Sequence, residues 1–267
     1  NHAVKISKKY NDDEKLTKSL MNLGNIYSEM SDYAKAVDIY QQALSISEKN
    51  NNLFGITGSM FNIAYIYFEK RDFKKAETSF LKCLKIFKKT GEIQNTAKTY
   101  LNLGLVSFEL QKLKKSNSYL RKSLNLNKKI NNRLEISRVL VNLGNLYYRQ
   151  EKYKQAEQYY QKASLIKDEI GDIKGRGILL GNMGIMFRDL KNFKKAEQYL
   201  NESLHILKSL NSKFLLAYLI TEMLELFMIQ EKTGKMKNLY KQALSLIDEL
   251  KLTDLKLKID QYKNYIN

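Results

Sequence analysis

The chain contains no proline, one cysteine and two histidines in 267 residues, and the shortages of thiol and imidazole each remove a class of function. A single thiol, Cys83, cannot form an internal disulfide or a multi-cysteine metal centre. His2 and His205 have no repeated carboxylate or cysteine partner, so neither supports a catalytic triad or a metal centre. The chain is therefore read as a non-enzyme, with no catalytic residue, metal ligand or cofactor expected. No apolar run approaches the roughly 18 residues that a membrane-spanning helix needs, and a soluble, cytoplasmic protein is expected. The absence of proline, beside abundant asparagine, lysine, isoleucine and tyrosine, reflects compositional bias of the source as much as function.

What is present begins with charge. A formal charge of +18 would draw acidic partners, nucleic acid or an anionic membrane surface. The excess is mostly lysine strewn along helix faces, as at Lys74, Lys75, Lys82, Lys85, Lys88 and Lys89, without an aromatic platform or an arginine stripe. A solvated lysine face is the preferred reading, and no specific nucleic-acid partner is expected.

The strongest signal is a repeat. Asn22, Asn62, Asn102, Asn142 and Asn182 fall 40 residues apart. A small residue follows each, at Gly24, Ala64, Gly104, Gly144 and Gly184, then an aromatic at Tyr27, Tyr67, Tyr147 and Phe187. A fixed period of this size marks a stacked array in which each unit buries its neighbour's apolar face. Apolar residues recur at i, i+3, i+4 and i+7 throughout, so the array is all helical. Each period carries two breaks, a short turn such as Ser31-Asp32 and a longer polar link such as Asn50 to Asn52. The spacing predicts first helices over 13–29, 53–69, 93–109, 133–149, 173–189 and 213–230. Second helices are predicted over 32–49, 73–89, 113–129, 153–169, 193–209 and 235–250.

Internal repetition separates columns fixed by packing from columns free to vary. Ala36, Ala76, Ser116, Ala156 and Ala196 align, followed four residues later by Tyr40, Phe80, Leu120, Tyr160 and Leu200. The expectation is a small residue opposite the glycine column, with the large one filling space between hairpins. Cys83 shares a column with Ala43, Ser123, Ala163, Ser203 and Ala243 and reads as a small buried packing position. Ala3, Val4, Ile6, Ser7 and Lys9 superimpose on Ala43, Leu44, Ile46, Ser47 and Lys49, so residues 1–250 read as an array that begins mid-repeat, a fragment of something longer. Residues 251–267 read as a capping helix, with Leu252, Leu255, Ile259, Tyr262 and Ile266 as its apolar stripe and Thr253 or Asp254 as its cap. Helix 213–230, apolar almost all round, is expected to be buried between the fifth repeat and that cap.

These columns resemble the tetratricopeptide repeat: Leu23-Gly24, Tyr27, Ala36, Tyr40 and Ala43 match it in one unit, and Leu143-Gly144, Tyr147, Ala156, Tyr160 and Ala163 in another. The resemblance runs from about residue 3 to 250. The period of 40 exceeds the usual 34 and the unit-ending proline is missing, as in the longer variety of Pins-type adaptors, kinesin light chains and Rap-type peptide sensors. The resemblance implies a right-handed superhelical solenoid of about six and a half antiparallel helix pairs, with first helices lining a concave groove that binds a peptide or partner protein.

Carried onto this chain, the resemblance places Asn22, Asn62, Asn102, Asn142 and Asn182 in the groove as a row of carboxamides able to hold an extended backbone. Asn25 and Asn145 add a second row one turn away, at positions no packing rule demands. The competing reading is that column asparagines bond the neighbouring repeat. Lys18, Lys98 and Arg138 share a column and Arg188 projects nearby, favouring an acidic segment, while Glu29, Glu69, Glu109 and Asp189 partly neutralise them. Tyr65, with Phe61, Phe68, Leu101, Leu105 and Phe108, could shape apolar pockets. A clamp for a terminal carboxylate is matched only by Asn25, Asn62 and Lys98. Gly181, in a column otherwise held by Met21, Phe61, Leu101 and Val141, is expected to leave a notch beside Arg138, Asn142 and Asn182. Two alternatives stand beside the peptide scaffold: a sensory array of a larger signalling protein, and a basic surface for polyanions or membrane.

Overall fold

The computed structural model describes residues 2–10 and 12–265. These form fourteen α-helices and one short 3-10 turn, with no strand among the described residues. The helices are α1 (His2–Lys9), α2 (Asp13–Glu29), α3 (Tyr33–Lys49), α4 (Leu53–Glu69), α5 (Phe73–Thr90), α6 (Ile93–Glu109), α7 (Leu113–Lys129), α8 (Arg133–Arg149), α9 (Tyr153–Glu169), α10 (Ile173–Asp189), α11 (Phe193–Ser209), α12 (Lys213–Ile229), α13 (Thr233–Leu250) and α14 (Thr253–Asp260). The predicted bounds of the first and second helices agree to within two residues, as the regular amphipathic pattern requires, whereas the capping helix read over 251–267 is the shorter α14, followed by a 3-10 turn at Lys263–Tyr265. No helix among the described residues is long and apolar enough to cross a membrane.

The period of 40 is two identical steps of 20, and the turns show why. Left-handed backbone (φ between 48° and 73°) recurs at residues 31, 51, 71, 91, 111, 131, 151, 171, 191, 211, 231 and 251. Each such residue lets the next N–H reach back to the final turn of the preceding helix, as from Asp32 to the Tyr27 carbonyl at 2.9 Å and from Asp72 to Tyr67 at 2.8 Å. This closure satisfies carbonyls that a helix end otherwise leaves bare. The same residue then starts the next helix: the side chains of Asp32, Asn52, Asp72, Asp172 and Asn192 accept from the backbone N–H three residues on. The two kinds of break expected from sequence are thus one three-residue geometry.

The helices fall into two compact units, residues 1–132 and 133–267. Within each, every helix packs on its successor. In the first unit the core is built from Phe61, Ala64, Ala76, Phe80, Phe87, Tyr100, Leu103 and Val106, with Phe61 and Phe80 edge to face at 5.3 Å. In the second, Leu143, Leu146, Leu179, Met186, Leu200, Leu224 and Leu226 are fully buried.

One packing expectation is corrected. The glycine column faces the large residue of the second helix, not the alanine. A Cβ on Gly24 would lie 2.5 Å from the Tyr40 ring, on Gly144 2.3 Å from Tyr160, on Gly104 2.7 Å from Leu120 and on Gly184 2.6 Å from Leu200. The missing side chain is what admits the ring, and the same ring then reaches the next hairpin, as Tyr40 does with Ile63 and Ile66.

The small column behaves as expected. Ser123 and Ser203 donate to the Ala97 and Gly177 carbonyls at 2.8 and 2.7 Å, and the Cys83 sulfur sits 3.9 Å from the Thr57 carbonyl. Burial pushes the Cys83 thiol up to about 12, so it stays protonated and unreactive.

At the C-terminal end α14 packs on α12 and α13, burying Leu255, Ile259 and Tyr262; Ile266 lies outside the described residues. Thr253 and Asp254 are the first residues of α14, not its cap, and the cap position belongs to Leu252, which offers no side-chain acceptor. Helix α12 packs on α10, α11, α13 and α14, which buries Leu216, Leu219, Ile220, Leu224, Leu226 and Phe227 but leaves Phe214, Tyr218 and Ile229 about half exposed.

Candidate functional site

Clefts open between successive first helices at one register of the repeat. In the first unit a cleft of about 150 Å³ is lined by Phe54, Gly58, Phe61 and Asn62 of α4, Phe87 of α5, and Asn95 and Lys98 of α6. Eighty residues later, in the second unit, a cleft of about 340 Å³ is lined by Arg138, Val141 and Asn142 of α8, Lys167 of α9, and Lys174, Gly175 and Ile178 of α10. A third, at the head of the first unit, lies among Asp13, Glu14 and Thr17 of α2, Ser47 of α3, and Asn52. Each combines a groove-facing first helix with one residue from the second-helix column 47, 87, 127, 167, 207.

The sequence reading did not single out that column. Ser47, Phe87, Asn127, Lys167 and Leu207 are all buried, and the column mixes polar (Ser47, Asn127), apolar (Phe87, Leu207) and charged (Lys167) side chains. Ser47, Phe87 and Lys167 each line one of the three clefts, which so differ at this position by a polar, an aromatic and a charged wall.

The asparagines form a relay, built twice. The Tyr40 hydroxyl donates to Asn25 Oδ1 at 2.6 Å, and Asn62 Nδ2 donates to the same oxygen at 3.3 Å. The Tyr160 hydroxyl donates to Asn145 Oδ1 at 2.7 Å, joined by Asn182 Nδ2 at 3.4 Å. Burial lifts the Tyr40 phenol to about 12, with the charge of Glu29 adding, and burial also raises Tyr160, so both remain donors at neutral pH. Asn25 and Asn145 therefore do have a packing reason: a buried hydroxyl needs an acceptor. Asn142 Nδ2 donates within its own helix, to the Arg138 carbonyl at 2.9 Å. In Asn62, Asn142 and Asn182 the amide nitrogen is bound to protein. Asn22 is exposed and Asn102 half-buried.

The basic column divides. Lys18 is paired with Glu14 at 2.6 Å and Arg138 with Glu135 at 2.7 Å. Lys98 lies over the Phe61 ring, 4.9 Å from its centroid, with its ammonium at the cleft mouth. Arg188, expected to project into the groove, is only 8% exposed and is held by Asp189 at 3.0 Å, Glu222 at 2.7 Å and Glu225 at 3.2 Å. Its guanidinium ties α10 to α12, because burying a cation demands carboxylates close by. Asp189 is also the acceptor of the Tyr148 hydroxyl. Tyr65 is 45% exposed; burial raises its phenol to about 12, with a hydrogen bond to Glu69 adding.

The expected notch at Gly181 is displaced. Gly181 is buried, and a Cβ there would lie 3.4 Å from Ser203 Oγ and 3.5 Å from Leu219, against the following elements. The opening beside Arg138 and Asn142 owes its shape to Gly175 and Ile178 instead, and Asn182 does not line it. Lys167, 4% exposed, reaches Asp172 at 2.7 Å at the base of that cleft.

Paired helices closed by a common turn, with clefts between first helices, define a repeat array of the kind that serves as a protein-interaction scaffold. Residues 56–129 and 135–209 match a family model described as tetratricopeptide repeat, and residues 17–50 match a second of the same description. The chain belongs to the tetratricopeptide repeat family. No curated protein sequence matches it significantly. Among solved structures it is similar to the apo form of RapI (TM-score 0.72, 19% identity, covering 88% of this chain and 84% of that one). It is also similar to BtubC from P. vanneervenii (TM-score 0.69, 21% identity, 79% and 89%). A third is a Rap protein complexed with competence and sporulation factor (TM-score 0.69, 13% identity, 95% and 74%). At these identities the likeness is one of fold.

Proposed function

We propose that the chain is a cytoplasmic scaffold that holds a peptide segment of a partner protein across the clefts between its first helices. The observation that carries this reading is the recurrence of one cleft design in both units, each with an asparagine, a cation and apolar walls. The asparagine relay gives the surface a hydrogen-bonding sense. Asn62 and Asn182 spend Nδ2 within the protein and would offer Oδ1 to a ligand, while their partners Asn25 and Asn145 give Oδ1 to a tyrosine and would offer Nδ2. An acceptor beside a donor matches the N–H and C=O of a peptide backbone, whatever its sequence. Asn22 and Asn102 extend the row in the first unit and Asn142 does so in the second. Lys98 selects for a carboxylate, and Phe54, Phe61 and Tyr65 supply apolar contact beside it. Arg138, already paired with Glu135, contributes less, and Arg188 none.

An array of acidic and apolar peptides of about twelve residues, long enough to cross several first helices at 8–10 Å each, tests this. The Asn62→Ala, Lys98→Ala double variant should lose most of the spots bound by the natural chain. Identical binding profiles would overturn the reading.

A further inference from the structure

The lysine excess is not spread evenly. Helices α5 and α7 each carry six basic residues and share a single carboxylate, Glu77, which is bound by Lys112 at 2.8 Å. Between them opens the largest of the clefts, about 560 Å³, lined by Lys88, Thr96, Tyr100, Lys122, Asn125, Leu126, Lys128 and Lys129, with no acidic residue in its wall. It is separate from the asparagine clefts. Lys122 Nζ lies 5.6 Å from the Tyr100 ring and 5.8 Å from Tyr119, and these two rings stack at 5.9 Å.

Packing does not require these lysines. The positions that hold Lys128 and Lys129 in one repeat hold Asp168 and Glu169 in the next, and there the acids are bound by Arg176 and Arg133. Four lysines line this cleft and no carboxylate does, an unbalanced charge that a multivalent anion would neutralise. A phosphate monoester carries up to two negative charges on three acceptor oxygens, where a carboxylate carries one on two. The cleft volume falls within the range of small-molecule sites, and Tyr100 and Leu126 give it an apolar floor.

We propose that this cleft binds a small organic phosphate, its phosphate among Lys88, Lys122, Lys128 and Lys129 and its apolar body against Tyr100 and Leu126. Adenosine monophosphate is a suitable probe, titrated calorimetrically in about 150 mM salt, where diffuse surface attraction is screened beyond roughly 8 Å. Saturable binding is expected, with adenosine and inorganic phosphate each weaker alone. The Lys128→Asp, Lys129→Glu variant, which copies the next repeat, should bind at least roughly tenfold more weakly. Lys114→Glu, Lys115→Glu makes the same charge change at the other end of α7 and should leave binding intact. Equal weakening by both variants, or no saturable binding by the natural chain, would overturn the proposal. Anionic phospholipid vesicles distinguish the source of the phosphate: sedimentation that the probe competes away supports a lipid headgroup in this cleft, and sedimentation that it does not affect counts against the site.

Discussion

At the residue scale the decisive pieces are small differences within columns. A tyrosine at positions 40 and 160 brings a hydroxyl that phenylalanine at 80 and leucine at 120 and 200 do not, and among the described residues the asparagine relay is seen in those two repeats. This link was hidden in the sequence because Asn25 and Tyr40 lie 15 residues apart on different helices; only the turn geometry brings them together. Tyr160→Phe should fold, since Phe80 occupies the same column. It should lose roughly 0.5–1.5 kcal/mol for one buried hydrogen bond, read as a lowered urea midpoint with unchanged slope. It should also leave Asn182 Nδ2 as the remaining donor to Asn145 Oδ1, visible as a shift of the two side-chain NH₂ resonances. A spectrum in which neither amide moves would show that the relay does not orient them.

At the element scale the fold was legible almost completely, because the helix periodicity and the turn residues repeat a dozen times and every copy agrees. What escaped was the conformation of the turns. Gly91 and Gly171 mark the left-handed position openly, but ten other residues hold it without being glycine, among them Gln111 at φ 58° and Glu151 at φ 57°. An L-residue there is disfavoured by roughly 1–2 kcal/mol, tolerated because the closing hydrogen bonds recur at every turn. Gln111→Gly should therefore stabilise the chain by roughly 0.5–1 kcal/mol, after the unfolded chain's added freedom is subtracted. Gly171→Ala should destabilise it by a similar amount. Thermal melts of the two variants should move in opposite directions; movement in the same direction would mean the turns are not under this strain.

At the scale of the whole molecule, the second unit is knit by charge as well as by apolar packing, and this is where the sequence misled. Arg188 reads from the sequence as a groove residue and Glu222, Glu225 and Lys258 as unpaired charges, since pairing across 33 to 37 residues cannot be read from spacing. Yet Arg188 and Lys258 both reach Glu222 and Glu225, tying α10, α12 and α14 together. Burial works to raise the Asp172 carboxyl, but hydrogen bonds from Lys167 and the Gly175 N–H outweigh it and leave the group below its ordinary 3.8. Hydrogen bonding by Lys235, against burial, likewise lowers Glu197 from 4.5. Burial opposes the charge of Lys258, yet Glu222 and Glu225 hold it above 10.5. A depressed carboxylate contributes stability that is present above its unfolded value and lost as pH falls through the folded one; a raised lysine contributes stability present below its unfolded value and lost as pH rises. The urea midpoint should therefore be flat from about pH 5 to 9 and fall at both ends. Asp172→Asn keeps a capping side chain of the kind seen at Asn52 and Asn192 but strips the buried Lys167 of its counter-charge. It should cost roughly 1–3 kcal/mol at neutral pH and flatten the acid limb, because the proton that the native state resists binding is no longer taken up there. An acid limb as steep as that of the natural chain would place the sensitivity in other carboxylates.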